Sequence, residues 1–165
     1  VGSGPGHLAN ALALASECTV HALDCSPDMI EICQNRVSEK GLTGRVIPAL
    51  GDVSEIPYGD NTFDLIVSRG SWFFWEDLPK GLSEIYRVLK PGGKTYIGGG
   101  FGTAELKEQI VAAMKERESD FESGMKERMT SRSPDIIRSV LENIGVHNYS
   151  LINDDSGIWL IMVRE

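Results

Sequence analysis

VGSGPGHLANALALA, Val1 to Ala15, sets glycines at positions 2, 4 and 6 directly ahead of an alanine-rich run. A glycine-rich turn that opens a helix lets the backbone approach a ligand, and the free N–H groups of the first helical turn favour polar or anionic groups there. The spacing selects among ligands. A dinucleotide fingerprint requires G-x-G-x-x-G, whereas this chain reads G-x-G-x-G and carries His7 at the place of the third glycine. No Gly-Lys-Ser/Thr follows, so the loop is not a Walker A phosphate loop. An ordinary tight strand-to-helix turn remains the competing reading.

Working outward, Gly6 to Ser16 reads as a helix with Leu8, Ala9, Leu12 and Ala15 on one face. Cys18 to Asp24 reads as a buried strand with its acid at the carboxyl end. Asp24 lies eighteen residues beyond Gly6, where a carboxylate accepts bonds from ribose hydroxyls. In SPDMIEICQNRVSEKG, Ser26 is the N-cap, Pro27 takes the first helical position, Asp28 complements the dipole and Gly41 terminates. Met29 packs either against an adenine or into the core. Short strands follow at Arg45–Leu50 and Phe63–Ser68. Asp52 comes after the first of them and reads either as a hydrogen-bond acceptor for an adenine amino group or as a turn-forming residue.

A helix is expected over Leu78 to Leu89, closed by the KPGG turn before a strand at Lys94–Gly99. Glu105 to about Met129 reads as one long helix or two, with Leu106, Ile110, Met114, Phe121 and Met125 as a broken apolar seam. Ser133 and Pro134 start a helix that ends near Gly145. The chain closes on two strands around a DDSG turn, too close together to be parallel. The alternation of helix and strand predicts an α/β fold on a mainly parallel sheet with an antiparallel carboxyl-terminal strand.

Composition bounds the function. The chain has 165 residues, 41% hydrophobic and 24% charged, as expected of one globular domain. No apolar run spans a bilayer and no leader pattern precedes the glycines, so a cytoplasmic location is expected. A formal charge of −8 argues against phosphate-backbone binding and hence against a nucleic-acid partner. Cys18, Cys25 and Cys33 have neither zinc-ligand nor disulfide-framework spacing, and no metal site is expected.

Four segments taken together resemble the class I S-adenosylmethionine-dependent methyltransferases, in particular those acting on small molecules: VGSGPGHLA, ALDCSPDMIEIC, LGDVSEIPYGDNTFDLIVSRG and EIYRVLKPGGKTYI. They stand in the family's order within residues 1 to 100. The resemblance implies a Rossmann-like sheet of order three, two, one, four, five, seven, six, with the seventh strand antiparallel. It implies that Gly2, Ser3, Gly4 and Gly6 pass beneath the methionine and ribose of S-adenosylmethionine. Asp24 would bind ribose within the segment that also holds Cys25 and Met29, Asp52 and Val53 would contact adenine, and Ser68 and Arg69 would lie near the methyl donor. The family carries a complete first strand ahead of the glycines, where this sequence has Val1 alone, and that strand belongs at the centre of the sheet. An N-terminally shortened methyltransferase is therefore expected, one domain over residues 1–165 with a helical insertion at about 103–132.

Methyl transfer from a sulfonium needs alignment and exclusion of water more than a universal catalytic residue. His7, His21 and His147 are the titratable candidates for a base, and each reads better as a structural or surface residue. SRGSWFFWED, Ser68 to Asp77, follows the strand expected to end at the donor, so Trp72 and Phe73 are the candidate walls of an acceptor pocket. The run Gly98–Gly102 is either the hinge of a mobile cover or a place of tight packing. The competing functions are a nicotinamide-dependent oxidoreductase, which the glycine spacing disfavours, and a non-catalytic cofactor- or partner-binding domain. The oligomeric state is not legible.

Overall fold

The computed structural model describes residues 1–117 and 120–165. Helix α1 (His7–Ala15) leads to strand β1 (Val20–Asp24), helix α2 (Pro27–Glu39) and strand β2 (Val46–Leu50). The order continues through β3 (Phe63–Arg69), a 3₁₀ turn (Trp72–Phe74), α3 (Leu78–Val88), β4 (Leu89–Gly99), α4 (Ala104–Lys115), α5 (Phe121–Thr130), α6 (Pro134–Asn143), β5 (Tyr149–Asp154) and β6 (Gly157–Met162).

The local signals account for the helix boundaries. Ser26 Oγ accepts from Met29 N–H at 3.4 Å, Pro27 opens α2, and Gly41 at φ 65° follows its last turn. Asp77 caps α3 by accepting from Lys80 N–H at 2.9 Å. In β4 the regular ladder starts at Lys94, as the KPGG turn predicts: Phe63 pairs with Leu89 and Leu65 already with Lys94, so the turn bulges out. The Glu105–Met129 segment is two helices, α4 and α5, and α4 has no fully buried residue. The side chain of Phe121, placed in the expected seam, lies outside the described residues.

The strands form two sheets, and the division falls where the resemblance places the family's first strand. One is the parallel pair β1–β2; the other runs β3-β4-β6-β5, with β3 and β4 parallel and β6 antiparallel to both neighbours. A cavity of about 340 Å³ lies between β1 and β3, lined by Val20, His21, Leu23, Leu65 and Val67 among others. Two bonds cross the division. The Val1 ammonium donates to the Val67 carbonyl at 2.9 Å, and Ser3 N–H donates to the Leu23 carbonyl at 3.0 Å.

Helices α3 and α6 cover one face of the four-stranded sheet. Leu82, Ile85, Ile97, Ile137, Leu141, Leu160 and Met162 are completely buried there, together with Trp72. A smaller cluster of Ala9, Ala13, Ala22, Cys33 and Val37 joins α1 and α2 to the two-stranded sheet. Between these sits a polar tie: Glu84 accepts from Ile56 N–H at 3.0 Å and from Arg87 at 2.7 and 2.8 Å, while Arg87 also donates to the carbonyls of Ile56 and Tyr58 and to Asp60. It holds the loop between β2 and β3 against α3.

The Arg87 hydrogen bonds, aided by the Ile56 amide and opposed by partial burial, hold the Glu84 carboxyl below its ordinary value. A depressed carboxyl stabilises the fold above its unfolded value and loses that contribution as pH falls through the folded one. Glu84→Gln is expected to cost about 1–3 kcal/mol at pH 7, a deficit that shrinks in urea titrations carried below about pH 4. A deficit unchanged down to pH 3 would contradict this account.

Candidate functional site

The ends of β1, β2 and β3 bring the sequence-selected residues to one edge of the fold, the crevice where open α/β sheets take ligands. The glycine loop crosses it. Gly2, Gly4 and Gly6 all have left-handed backbones, at φ 61°, 51° and 81°. Only one of them faces space: a Cβ at Gly4 would meet nothing within 4 Å, whereas one at Gly2 would stand 2.2 Å from Ser71 Cβ and one at Gly6 2.4 Å from Cys33 Sγ. Gly2 and Gly6 therefore serve the packing of the loop on the protein, and Gly4 leaves the backbone open to an approaching group.

Asp24 is held in place by that loop. Its Oδ2 accepts from Gly4 N–H at 2.7 Å and its Oδ1 from Ser26 N–H at 3.0 Å, which fixes the carboxylate at the tip of β1. Each oxygen keeps a second lone pair for an outside donor. Gly51 N–H donates to the Asp24 carbonyl at 3.0 Å, so the end of β2 is tied to the same point. Cys25 is exposed beside it, and Met29 is half-buried on the first turn of α2.

At β2 the structure gives Asp52 a local partner. Its Oδ1 accepts from Ser54 N–H at 2.7 Å and Ser54 Oγ at 2.5 Å, and these bonds, the hydroxyl first, pull the carboxyl below its ordinary value. The turn-forming reading of Asp52 thus holds for one oxygen. The Val53 side chain is buried and packs where a Cβ on Gly81 would touch it at 3.4 Å. At the end of β3, Ser68 is buried and pairs with Ser71 Oγ at 2.6 Å. Ser71 in turn receives Trp75 Nε1 at 3.3 Å and donates to the Val1 carbonyl at 3.4 Å. Arg69 is exposed. The sequence gives no signal for Ser71, whose importance arises only because it lies under Gly2.

A cavity of about 860 Å³ opens at Gly70, one residue beyond β3, and runs beneath α4 and α5 to the turn between β5 and β6. Phe73 and Phe74 stand on its wall. Trp72, the other aromatic expected there, does not: it is completely buried in the core, because three consecutive residues of a 3₁₀ turn diverge by about 120° each and Trp72 takes the inward direction. Gly98–Gly100 are packing residues and not a hinge, since Cβ atoms at Gly98 and Gly100 would lie 2.0 Å from the Ile158 carbonyl and 2.1 Å from the Ser156 carbonyl.

None of the three histidines lines this cavity. His21 bonds the Tyr58 hydroxyl at 2.9 Å in an aromatic cluster with Phe63, His7 lies against Arg36, and His147 is exposed. Among the described residues no group of acids, histidines and cysteines forms a metal site, and no helix is long and apolar enough to cross a membrane.

The profile of the methyltransferase-domain family matches residues 1–97, and the chain belongs to that family. A Methanococcus maripaludis protein assigned to the S-adenosylmethionine-dependent methyltransferases has the same fold at a TM-score of 0.91 and 44% identity, with 99% of this chain and 74% of that one covered. The uncharacterized Bacillus subtilis methyltransferase YdaC is 35% identical over 98 residues, 59% of this chain and 52% of its own length. The demethylmenaquinone methyltransferase of Symbiobacterium thermophilum is 36% identical over 93 residues, 56% of this chain and 37% of its own. The chain thus spans about half or less of the length of these two curated relatives.

Two contrasts test this geometry by urea denaturation. Gly4→Ala is expected to cost about 1–2 kcal/mol, the penalty of a left-handed alanine, and Gly6→Ala clearly more because Cys33 must also move. Trp72→Ala is expected to lose about 3–5 kcal/mol as a core deletion; a cost under about 1 kcal/mol would return it to a surface role.

Proposed function

We propose that the protein binds S-adenosylmethionine across the ends of β1, β2 and β3 and transfers its methyl group to a small molecule held in the cavity beneath α4 and α5. The observation that carries this reading is the pinned Asp24 carboxylate beneath a glycine loop whose Gly4 faces open space. Family membership supports it.

In this reading Gly2, Ser3, Gly4 and Gly6 shape the floor under the ribose and methionyl portions, and Asp24 accepts the ribose hydroxyls with its remaining lone pairs. Asp52 offers its second oxygen to the adenine amino group. Met29 flanks the base, Cys25 lies beside the ribose, and Val53 contributes backbone alone. Ser68 and Arg69 border the methionyl end, next to the mouth of the cavity at Gly70. The bound cofactor supplies an activated methyl on a sulfonium. The protein's part is to align the acceptor in line with that methyl and to exclude water. Phe73 and Phe74 supply the apolar wall, α4 and α5 (the 103–132 insertion) supply the cover, and residues 1–165 act as one domain. An acceptor that loses a proton on methylation can pass it to Glu108 or Asp155, carboxylates on the cavity wall.

Calorimetry with S-adenosylhomocysteine, and NAD as comparison, tests the reading. Saturable binding of S-adenosylhomocysteine alone is expected, weakened at least about tenfold by Asp24→Ala, which removes charge-assisted bonds of about 1.5–3 kcal/mol each. A folded sample that binds neither compound, or NAD equally well, would falsify it in favour of a non-catalytic or nicotinamide-binding domain.

A further inference from the structure

The 860 Å³ cavity has a charge that the rest of the chain does not foreshadow. The protein carries 24 acidic and 16 basic residues, yet four cations line this one cavity: Lys107, Lys126, Arg128 and Arg132. None of the four forms an ion pair among the described residues. Of the acids beside them, Asp154 is engaged in its own turn, accepting from Ser156 N–H at 2.9 Å and Ser156 Oγ at 2.6 Å. Glu108 and Asp155 complete the set.

Arg132 is the most constrained of the cations. Its Nε donates to the Trp72 carbonyl at 3.0 Å, its Nη2 to the Trp75 carbonyl at 2.7 Å and its Nη1 to Ser131 at 3.2 Å. These partners are neutral, and they fix the guanidinium against the 3₁₀ turn that also carries Phe73 and Phe74. Half-burial without a countercharge pulls its pKa down. Among the described residues one Nη2 proton has no acceptor. Removing a guanidinium from water is unfavourable until an opposite charge arrives, so such a preset fork is complementary to an oxyanion. Arg128 lies beside it, stacked over the Phe74 ring at 5.3 Å. Phe101, Val111 and Met125 add apolar surface to a wall that also holds Thr130, Ser133 and Asn153.

We infer that the methyl acceptor is an amphipathic small molecule whose apolar or aromatic body rests on Phe73 and Phe74 and whose anionic group, a carboxylate or a phosphate, is bound by Arg132. This rests on the methyl-transfer reading for the word acceptor, and on the cavity alone for the anion. An apolar body satisfies the aromatic wall, but a wholly neutral one would leave Arg132 half-buried on neutral carbonyls without an opposite charge. The anion completes the ion pair that the fold leaves open, and the bonds to the Trp72 and Trp75 carbonyls fix where the guanidinium receives it.

The test titrates phenylacetate, phenyl phosphate and neutral 2-phenylacetamide into the full chain saturated with S-adenosylhomocysteine, followed by NMR line shifts of the probes. One or both anions are expected to bind at least about tenfold more tightly than the amide, the ratio of a charge-assisted to a neutral bond. Whichever anion leads identifies the group. The preference is expected to fall as chloride rises, to vanish in Arg132→Gln and to persist in part in Arg132→Lys, which keeps the charge without the fork. Arg128→Gln supplies a second variant should loss of the bonds to Trp72 and Trp75 unfold the first, and it is expected to weaken anion binding several-fold. Equal binding of amide and anions, no binding of any probe, or an anion preference intact in a folded Arg132→Gln would overturn the inference. Anion preference in a protein that does not bind S-adenosylhomocysteine would support the anion site and remove the methyl-transfer reading.

Discussion

Three residues stitch this molecule together. Val1 donates to the Val67 carbonyl on β3, Ser3 donates to the Leu23 carbonyl on β1, and between them Gly2 is pressed against Ser71. Among the described residues no strand of one sheet pairs with a strand of the other, and this short crossing holds the glycine loop to the strand ends. The position of Asp24 depends on it, because Gly4 can reach the carboxylate only when Ser3 is held to Leu23. So does the 3₁₀ turn that carries Phe73 and Phe74, since Ser71 bonds Val1, Ser68 and Trp75.

Stability and chemistry are divided between the two halves of the fold. The large core lies under the four-stranded sheet, where α3 and α6 bury Leu82, Ile85, Ile137 and Leu141 completely. The strand ends that form the ligand crevice belong mainly to the smaller two-stranded unit, whose core is built from alanines, valines and Cys33. Burial pushes the Cys33 thiol up, which keeps it a packing group against Gly6 and not a nucleophile. Helix α4 has no fully buried residue, and its Lys107, Glu108 and Val111 line the 860 Å³ cavity.

The sequence and the structure agree best where a signal is local. Ser26, Pro27 and Gly41 mark the ends of α2 because capping acts within one helical turn, and the DDSG turn forces the antiparallel hairpin for the same reason. They part where direction in three dimensions matters. Trp72 and Phe73 are neighbours with the same sequence-level claim to a pocket, yet one is sealed in the core and the other stands on the cavity wall. Asp52 was legible as a polar residue after a strand, but its bonds to Ser54 show that one of its oxygens serves the turn. The Gly98–Gly102 run left hinge and packing equally open; the approach of the β5–β6 turn decides for packing at Gly98 and Gly100, whereas a Cβ at Gly102 would meet only Leu106 at 4.0 Å.

By itself, then, the sequence determined the fold class, the order of elements and the acidic residue that completes the glycine loop, since periodicity, capping and motif spacing are written along the chain. The family followed from the same order of motifs. Only the tertiary structure decided that a single glycine of the three faces open space, that Trp72 turns into the core while Phe73 faces the cavity, and that Arg132, without an ion pair among the described residues, lines that same cavity. Each of these is a relation between residues tens of positions apart, fixed by packing and by which surfaces exclude water, and no local pattern encodes it.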